Sequence, residues 1–249
     1  MNLKNKSCLV TGGTRGIGAA TAIALAREGA NVALVGRHAD AEALATQQAI
    51  LDLGAGCILI QADCADPALA EKCVADTVAA FGSVDVLIHA AGGPVNGGLL
   101  KVSPEDWQAA FNVHVHPIFY LCRKAIPHMQ AKKEGAIILV SSTAGKLGII
   151  TNVAYQVVKG ALPQFARALA YEFANDNIRV NCVMPGVIRT RFHAAMSEQQ
   201  KKHNLENRIP LHREGTSEQV ATAILELVKN DYITGESLTV DGGLTMRIA

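Results

Sequence analysis

Short apolar runs recur along this chain, separated by longer stretches in which apolar residues return every three or four positions. The first rhythm is that of buried strands and the second that of helices with one face on a core. Strands are predicted over 8–10, 31–35, 57–61, 84–89, 136–140, 179–183 and 237–240, and helices over 19–28, 41–53, 67–81, 152–175 and 218–229. A further helix should start after Ser103, with Pro104 at its first position, and run to about Gln130. Gly29, Gly54 and Gly82 stand where three of these helices should stop, as C-terminal glycine caps do. Two prolines should disturb helices. Pro117 predicts a bend, and Pro163 removes the N–H that would bond the Lys159 carbonyl, predicting a kink one turn past that lysine. Strand and helix alternate throughout 1–249 without a linker or repeat, which predicts one α/β domain, a Rossmann-type doubly wound parallel sheet with helices on both faces. Residues 191–215 break the rhythm; polar and poor in large apolar groups, they predict a mobile substrate lid.

The strand-to-helix junctions carry the candidate chemistry. Thr11 to Gly18 reads Thr-Gly-Gly-Thr-Arg-Gly-Ile-Gly and joins the first strand to the first helix. Gly12, Gly16 and Gly18 would let the backbone approach a pyrophosphate, and the helix N-terminus would offer free N–H groups and a positive dipole end. The spacing is a variant of the G-x-G-x-x-G turn, and simple chain reversal is the alternative use of such glycines. The second strand ends in Gly36-Arg37 with no carboxylate before Asp40. That end faces the adenosine ribose in dinucleotide folds, so Arg37, with Arg15 beside it, is expected to pair with a 2′-phosphate and favour NADP(H). A solvated loop arginine is the plainer alternative. Asp63, ending the third strand, is placed either to reach an adenine amino group or to cap its own loop.

Tyr155 and Lys159 are four residues apart on a predicted helix, so they project from one face. A nearby ammonium favours the phenolate and is expected to lower the tyrosine pKa, so that the phenol can exchange a proton with a carbonyl oxygen held by Ser142. Met184 and Met196 are placed to line a substrate pocket or to pack in the core or lid, and Trp107 is expected in the core.

Taken together these residues resemble the classical short-chain dehydrogenases/reductases. The matching features are Thr11-Gly12 with Gly16 and Gly18, Ala91-Gly92, Ser142 thirteen residues before Tyr155, Lys159, Pro185-Gly186 with Thr190, and Asp241-Gly242-Gly243, in the family's order and across nearly the whole chain. The resemblance implies a seven-stranded sheet, hydride transfer between nicotinamide and a carbonyl or alcohol carbon, and a homotetramer. It implies that Thr14, Arg15 and Ile17 of the glycine turn contact cofactor along with Pro185 and Gly186. Asp63 and Cys64 would contact adenine, Ala91 and Gly92 the ribose, and Ile188 and Thr190 the nicotinamide carboxamide. The family's catalytic asparagine falls on His114, seven residues on from Trp107, with Asn112 as a decoy nearby. His89 likewise departs from the family's asparagine. A 3-oxoacyl-[acyl-carrier-protein] reductase is the alternative reading, for which Lys132-Lys133 would have to dock an acidic carrier. A non-catalytic NADPH-sensing regulator is the alternative of another class.

Composition narrows the remaining possibilities. Lys and Arg total 23 against 22 for Asp and Glu, with no long run of one sign, so neither nucleic acid nor an anionic membrane is an expected partner. The six cysteines lack C-x-x-C spacing, and His114 and His116 would diverge on a helix, so no metal is expected. The first strand begins within ten residues of Met1, leaving no room for a signal peptide, and cytoplasmic placement is expected.

Overall fold

The structure is a computed structural model that describes residues 1–191 and 196–246. Its centre is a seven-stranded parallel sheet of β1 (Ser7–Thr11), β2 (Asn31–Gly36), β3 (Cys57–Gln61), β4 (Val86–His89), β5 (Gly135–Val140), β6 (Ile178–Pro185) and β7 (Ser237–Val240). The order across the sheet is β3-β2-β1-β4-β5-β6-β7. The direction of winding reverses between β1 and β4, and a ligand crevice opens at such a reversal, beyond the strand C-termini.

Strand residues alternate between two cores because side chains point to opposite faces of the sheet. Leu9, Ala33, Val35, Leu87, Ile137 and Leu139 face one way, against α3 (Pro67–Phe81), α5 (His116–Lys132) and α6 (Val153–Glu172). Val10, Val32, Leu34, Ile88, Ile138 and Val183 face the other, against α1 (Gly16–Arg27) and α8 (Ser217–Lys229). Both faces are therefore apolar, which is why the strands read as continuous hydrophobic runs. Two further helices, α2 (Ala41–Leu51) and α4 (Pro104–His114), follow the loops that leave the C-terminal ends of β2 and β4.

Two boundary expectations change. The first helix begins at Gly16 rather than Ala19, so the last glycines of the turn are its first residues. The helix expected from Ser103 to about Gln130 is two helices broken at Val115, with Pro117 in the first turn of α5 where its missing N–H leaves no intrahelical bond unmade. Pro163 lies inside α6, which continues past it to Glu172. The segment expected as a lid contains α7 (Glu198–His203) and a π-helical turn over Asn204–Arg208, and its far end is tied down by Gly215, which bonds Val187 and Arg189. Residues 192–195 of that segment lie outside the described residues.

Candidate active site

Close packing shapes the glycine turn. A Cβ on Gly18 would lie 2.1 Å from the Gly12 carbonyl oxygen, and one on Gly12 would lie 2.8 Å from the Ala90 backbone. The turn thus abuts the end of β4, with Gly12 against the Ala90–Ala91 backbone. Gly16 has φ +56 and faces Thr190, whose methyl would be 3.6 Å from a Cβ there. The N-terminus of α1 has no side-chain cap and no acidic residue in its first turn. Its Gly16, Ile17 and Gly18 amides have no acceptor among the described residues. An uncapped helix end with free donors and no negative charge fits a pyrophosphate. Thr14 contributes from behind, its carbonyl accepting Thr46 Oγ1 at 3.0 Å.

Arg37 is exposed at the end of β2 and its side chain has no hydrogen bond or ion pair among the described residues. Arg15 differs. Its Nη2 lies 2.6 Å from Asp40 Oδ2 and its Nη1 3.5 Å from Glu42 Oε2, a pairing that the spacing did not reveal. Asp63 Oδ1 accepts the Ala65 amide at 3.0 Å, the loop-capping role that was one of its two expected uses. Cys64 is buried beside it, packed in the same core as Cys73.

Three consecutive residues at the end of β5 address the Tyr155–Lys159 pair. Val140 offers its carbonyl to Lys159 Nζ at 2.8 Å. Ser141 donates its hydroxyl to the Lys159 carbonyl at 2.6 Å. Ser142 hydrogen-bonds the Tyr155 hydroxyl. Ser141 is the functional neighbour that sequence reasoning missed: Pro163 frees the Lys159 carbonyl, and Ser141 satisfies it. The adjoining turn approaches so closely that a Cβ on Gly145 would lie 2.6 Å from the Lys159 carbonyl carbon.

Burial dominates the electrostatics here. Lys159 is 6% exposed, and loss of hydration lowers its pKa to about 8. The expected depression of Tyr155 is not found. Burial raises its pKa, and the Ser142 hydrogen bond opposes without cancelling it, while Lys159 Nζ stands 5.9 Å from the ring centroid. The resting phenol is protonated at neutral pH.

His114 ends α4 and is buried, its ring edge-on to Tyr155 with centroids 5.8 Å apart. A Cβ on Gly92 would lie 2.6 Å from His114 Cε1 and 3.5 Å from Lys159 Nζ, so ring, lysine and Gly92 share one corner. His114 Nε2 is 3.0 Å from the Gly93 carbonyl oxygen. The Gly93 amide lies 3.4 Å from the same Nε2, so that nitrogen meets both a donor and an acceptor of one residue, and Nδ1 is buried without a hydrogen-bond partner. His89 is buried too, with Nδ1 2.9 Å from Thr11 Oγ1. Burial first, then the Lys159 charge, lowers both imidazoles to about 3, so both are neutral. Asn112 is engaged elsewhere, its Oδ1 accepting from Gln108 and lying 3.0 Å from His116 Nδ1. Ile188 is buried and Thr190 Oγ1 reaches its carbonyl at 3.4 Å, while Gly186 packs on Asp241. Among the described residues no cluster of three His, Cys, Asp or Glu could hold a metal, and no helix is long and apolar enough to cross a membrane.

The site thus combines a parallel sheet, a glycine turn and an uncapped helix start after β1, and a tyrosine, lysine and serine converging at the end of β5. The family model described as enoyl-(acyl carrier protein) reductase matches residues 12–245. The chain is 34% identical over 244 residues to the 3-oxoacyl-[acyl-carrier-protein] reductase FabG of Chlamydia muridarum, covering 97% of this chain and 98% of that one. It is 36% identical over 249 residues to the uncharacterized oxidoreductase YhdF of Bacillus subtilis, covering 97% and 84%. Among solved structures, a short-chain type dehydrogenase/reductase from Mycobacterium ulcerans superposes with a TM-score of 0.92 at 29% identity, covering 99% and 92%. A variant of the Serratia marcescens short-chain dehydrogenase/reductase does so with a TM-score of 0.91 at 31% identity, covering 98% and 100%. The chain belongs to the short-chain dehydrogenase/reductase family of oxidoreductases.

Proposed function

We propose that this chain is an NADP(H)-dependent oxidoreductase that moves a hydride between nicotinamide and a ketone or secondary alcohol, with Tyr155 as general acid/base. The observation that carries the reading is the convergence of Val140, Ser141 and Ser142 on Tyr155 and Lys159. The bound cofactor would supply the hydride. Gly12, Gly16, Ile17 and Gly18 would hold its pyrophosphate, Ala91 and Gly92 its ribose, and Arg37 its 2′-phosphate. The raised phenol keeps its proton at neutral pH and can give it to a carbonyl oxygen as negative charge develops there; Ser142 orients that oxygen, and the Lys159 ammonium offsets the phenolate left behind. A site poised as an acid suits the reductive direction. A sensing regulator would need the glycine turn but not this relay.

The relatives' printed names favour one narrower alternative, reduction of 3-oxoacyl groups on a carrier protein. Lys132 and Lys133 do not support it: Lys132 pairs with Asp85, which precedes β4, and Lys133 pairs with Asp176, which precedes β6. Both pairs lie at the N-terminal ends of the strands, whereas Tyr155 lies by the C-terminal end of β5. A homotetramer is supported by exposed Phe119 on α5, Val157 on α6 and Leu238 on the edge strand β7. Six unpaired cysteines suit a reducing cytoplasm.

The test is NADPH oxidation against ketones, quinones, sugars and 3-oxoacyl thioesters, with Tyr155→Phe beside the wild type. The variant should lose several powers of ten in kcat while cofactor affinity stays within about threefold, because a proton donor and little binding surface is removed. A variant keeping a tenth of the activity overturns the assignment.

A further inference from the structure

The preference for NADPH rests on two guanidiniums, and one of them is already committed. Asp40 holds Arg15 with Oδ2 at 2.6 Å while its Oδ1 accepts the Ala43 amide at 3.1 Å and caps α2. The helix therefore fixes the carboxylate that the arginine meets. Glu42 adds a second carboxylate 3.5 Å from Arg15 Nη1, and lies 3.3 Å from Arg191 Nη1. Two carboxylates and two guanidiniums form a network of zero net charge. Arg37 alone of the two expected phosphate ligands stands outside it. A 2′-phosphate brings up to two negative charges, and beside Arg15 it would meet a fixed carboxylate, which disfavours a second anion at that spot.

We infer, building on the NADP(H) reading above, that Asp40 is a cofactor-specificity residue of this chain, its carboxylate competing with the 2′-phosphate of NADPH for Arg15. Arg37 then carries the discrimination by itself. One charge-assisted contact is worth roughly ten- to a hundredfold in affinity, so NADPH binds better than NADH by about that factor and no more. Asp40 is also the residue that limits the preference. The opposite role for the same contact is a brace, in which Asp40 orients Arg15 toward the phosphate, and the two roles predict effects of opposite sign.

Titration calorimetry on the full chain separates them, with NADPH and NADH as the probes. Asp40→Asn keeps an oxygen for the Ala43 amide and removes the charge; Asp40→Ser, which also caps a helix, repeats the test should the first variant fold poorly. Either should tighten NADPH by about tenfold and leave NADH within about threefold. Arg15→Ala should change NADPH affinity by less than about threefold in the wild type and by about tenfold in the Asp40→Asn background, the coupling expected of competitors for one group. Weakened or unchanged NADPH binding in both Asp40 variants overturns the inference and leaves the NADP(H) reading intact. A wild type that binds both nucleotides equally, or neither, overturns the two together.

Discussion

Lowering the pH from about 7 to 5 should destabilise this protein through two buried imidazoles. His89 and His114 have pKa values of about 3 in the fold, against 6.5 for an unperturbed histidine. The unfolded chain therefore takes up two protons as pH falls through 6.5, and the folded chain takes up neither until about pH 3. Each histidine's contribution is constant above 6.5 and is lost steadily below it. Over this interval the linkage relation gives about 2 kcal/mol per histidine, or roughly 4 kcal/mol for both. That is a large part of a typical domain stability of about 5–15 kcal/mol. Lys159 adds no slope in this window: its pKa is lowered to about 8 from 10.5, so its penalty is fully present below 8 and is relieved only as pH rises. The lowered carboxyl pKa values of Asp40, Asp176 and Glu218 act below the ordinary carboxylate range. Guanidinium unfolding at fixed protein concentration measures the difference, with the double variant His89→Asn, His114→Asn as the control that should lose most of the slope. A wild-type loss below about 1 kcal/mol, or an equal loss in the double variant, would refute the reasoning.

Two further predictions concern the same corner of the site. His114→Asn should keep activity within about tenfold and leave the pH profile between 5 and 7 unchanged, because the imidazole is neutral there and its Nε2 is occupied by the Gly93 backbone. An ionisation near 6 to 7 that the variant removes would restore a relay role for the ring. Ser141→Ala should cost about 1–3 kcal/mol of stability by leaving the Lys159 carbonyl unpaired, and should lower kcat more than it raises KM; a neutral effect on both would show that another group satisfies that carbonyl.

What was legible in the sequence follows the range of the forces involved. Strand and helix positions obey local periodicity, so β3 and α3 fall where the pattern put them, and Tyr155 with Lys159 shares a face because four residues make about one turn. Contacts between distant segments were less visible. Arg15 looked like a phosphate ligand because its partner, Asp40, lies twenty-five residues on, past the strand end where an acid would ordinarily be sought. The break at Val115 was softened into a bend because Pro117 is compatible with either a kinked helix or a new first turn. The sign of the tyrosine shift depended on burial, which spacing does not report. Ser141 carried one usable signal: a proline four residues past Lys159 announces a carbonyl in need of a donor, and the serine beside Ser142 is the nearest candidate.

The three contacts made by Val140, Ser141 and Ser142 also give the site a mechanical character. They tie one strand end to the ammonium, the main chain and the phenol of a single helix face, so the helix cannot slide along the sheet by even an ångström without disturbing all of them at once. Alignment of the proposed proton donor therefore depends on how α6 seats on β5. Substrate range can be retuned through the surrounding loops while that seat stays untouched, whereas a core substitution beneath it, such as at the fully buried Leu162, would reach the site without touching any of its polar groups.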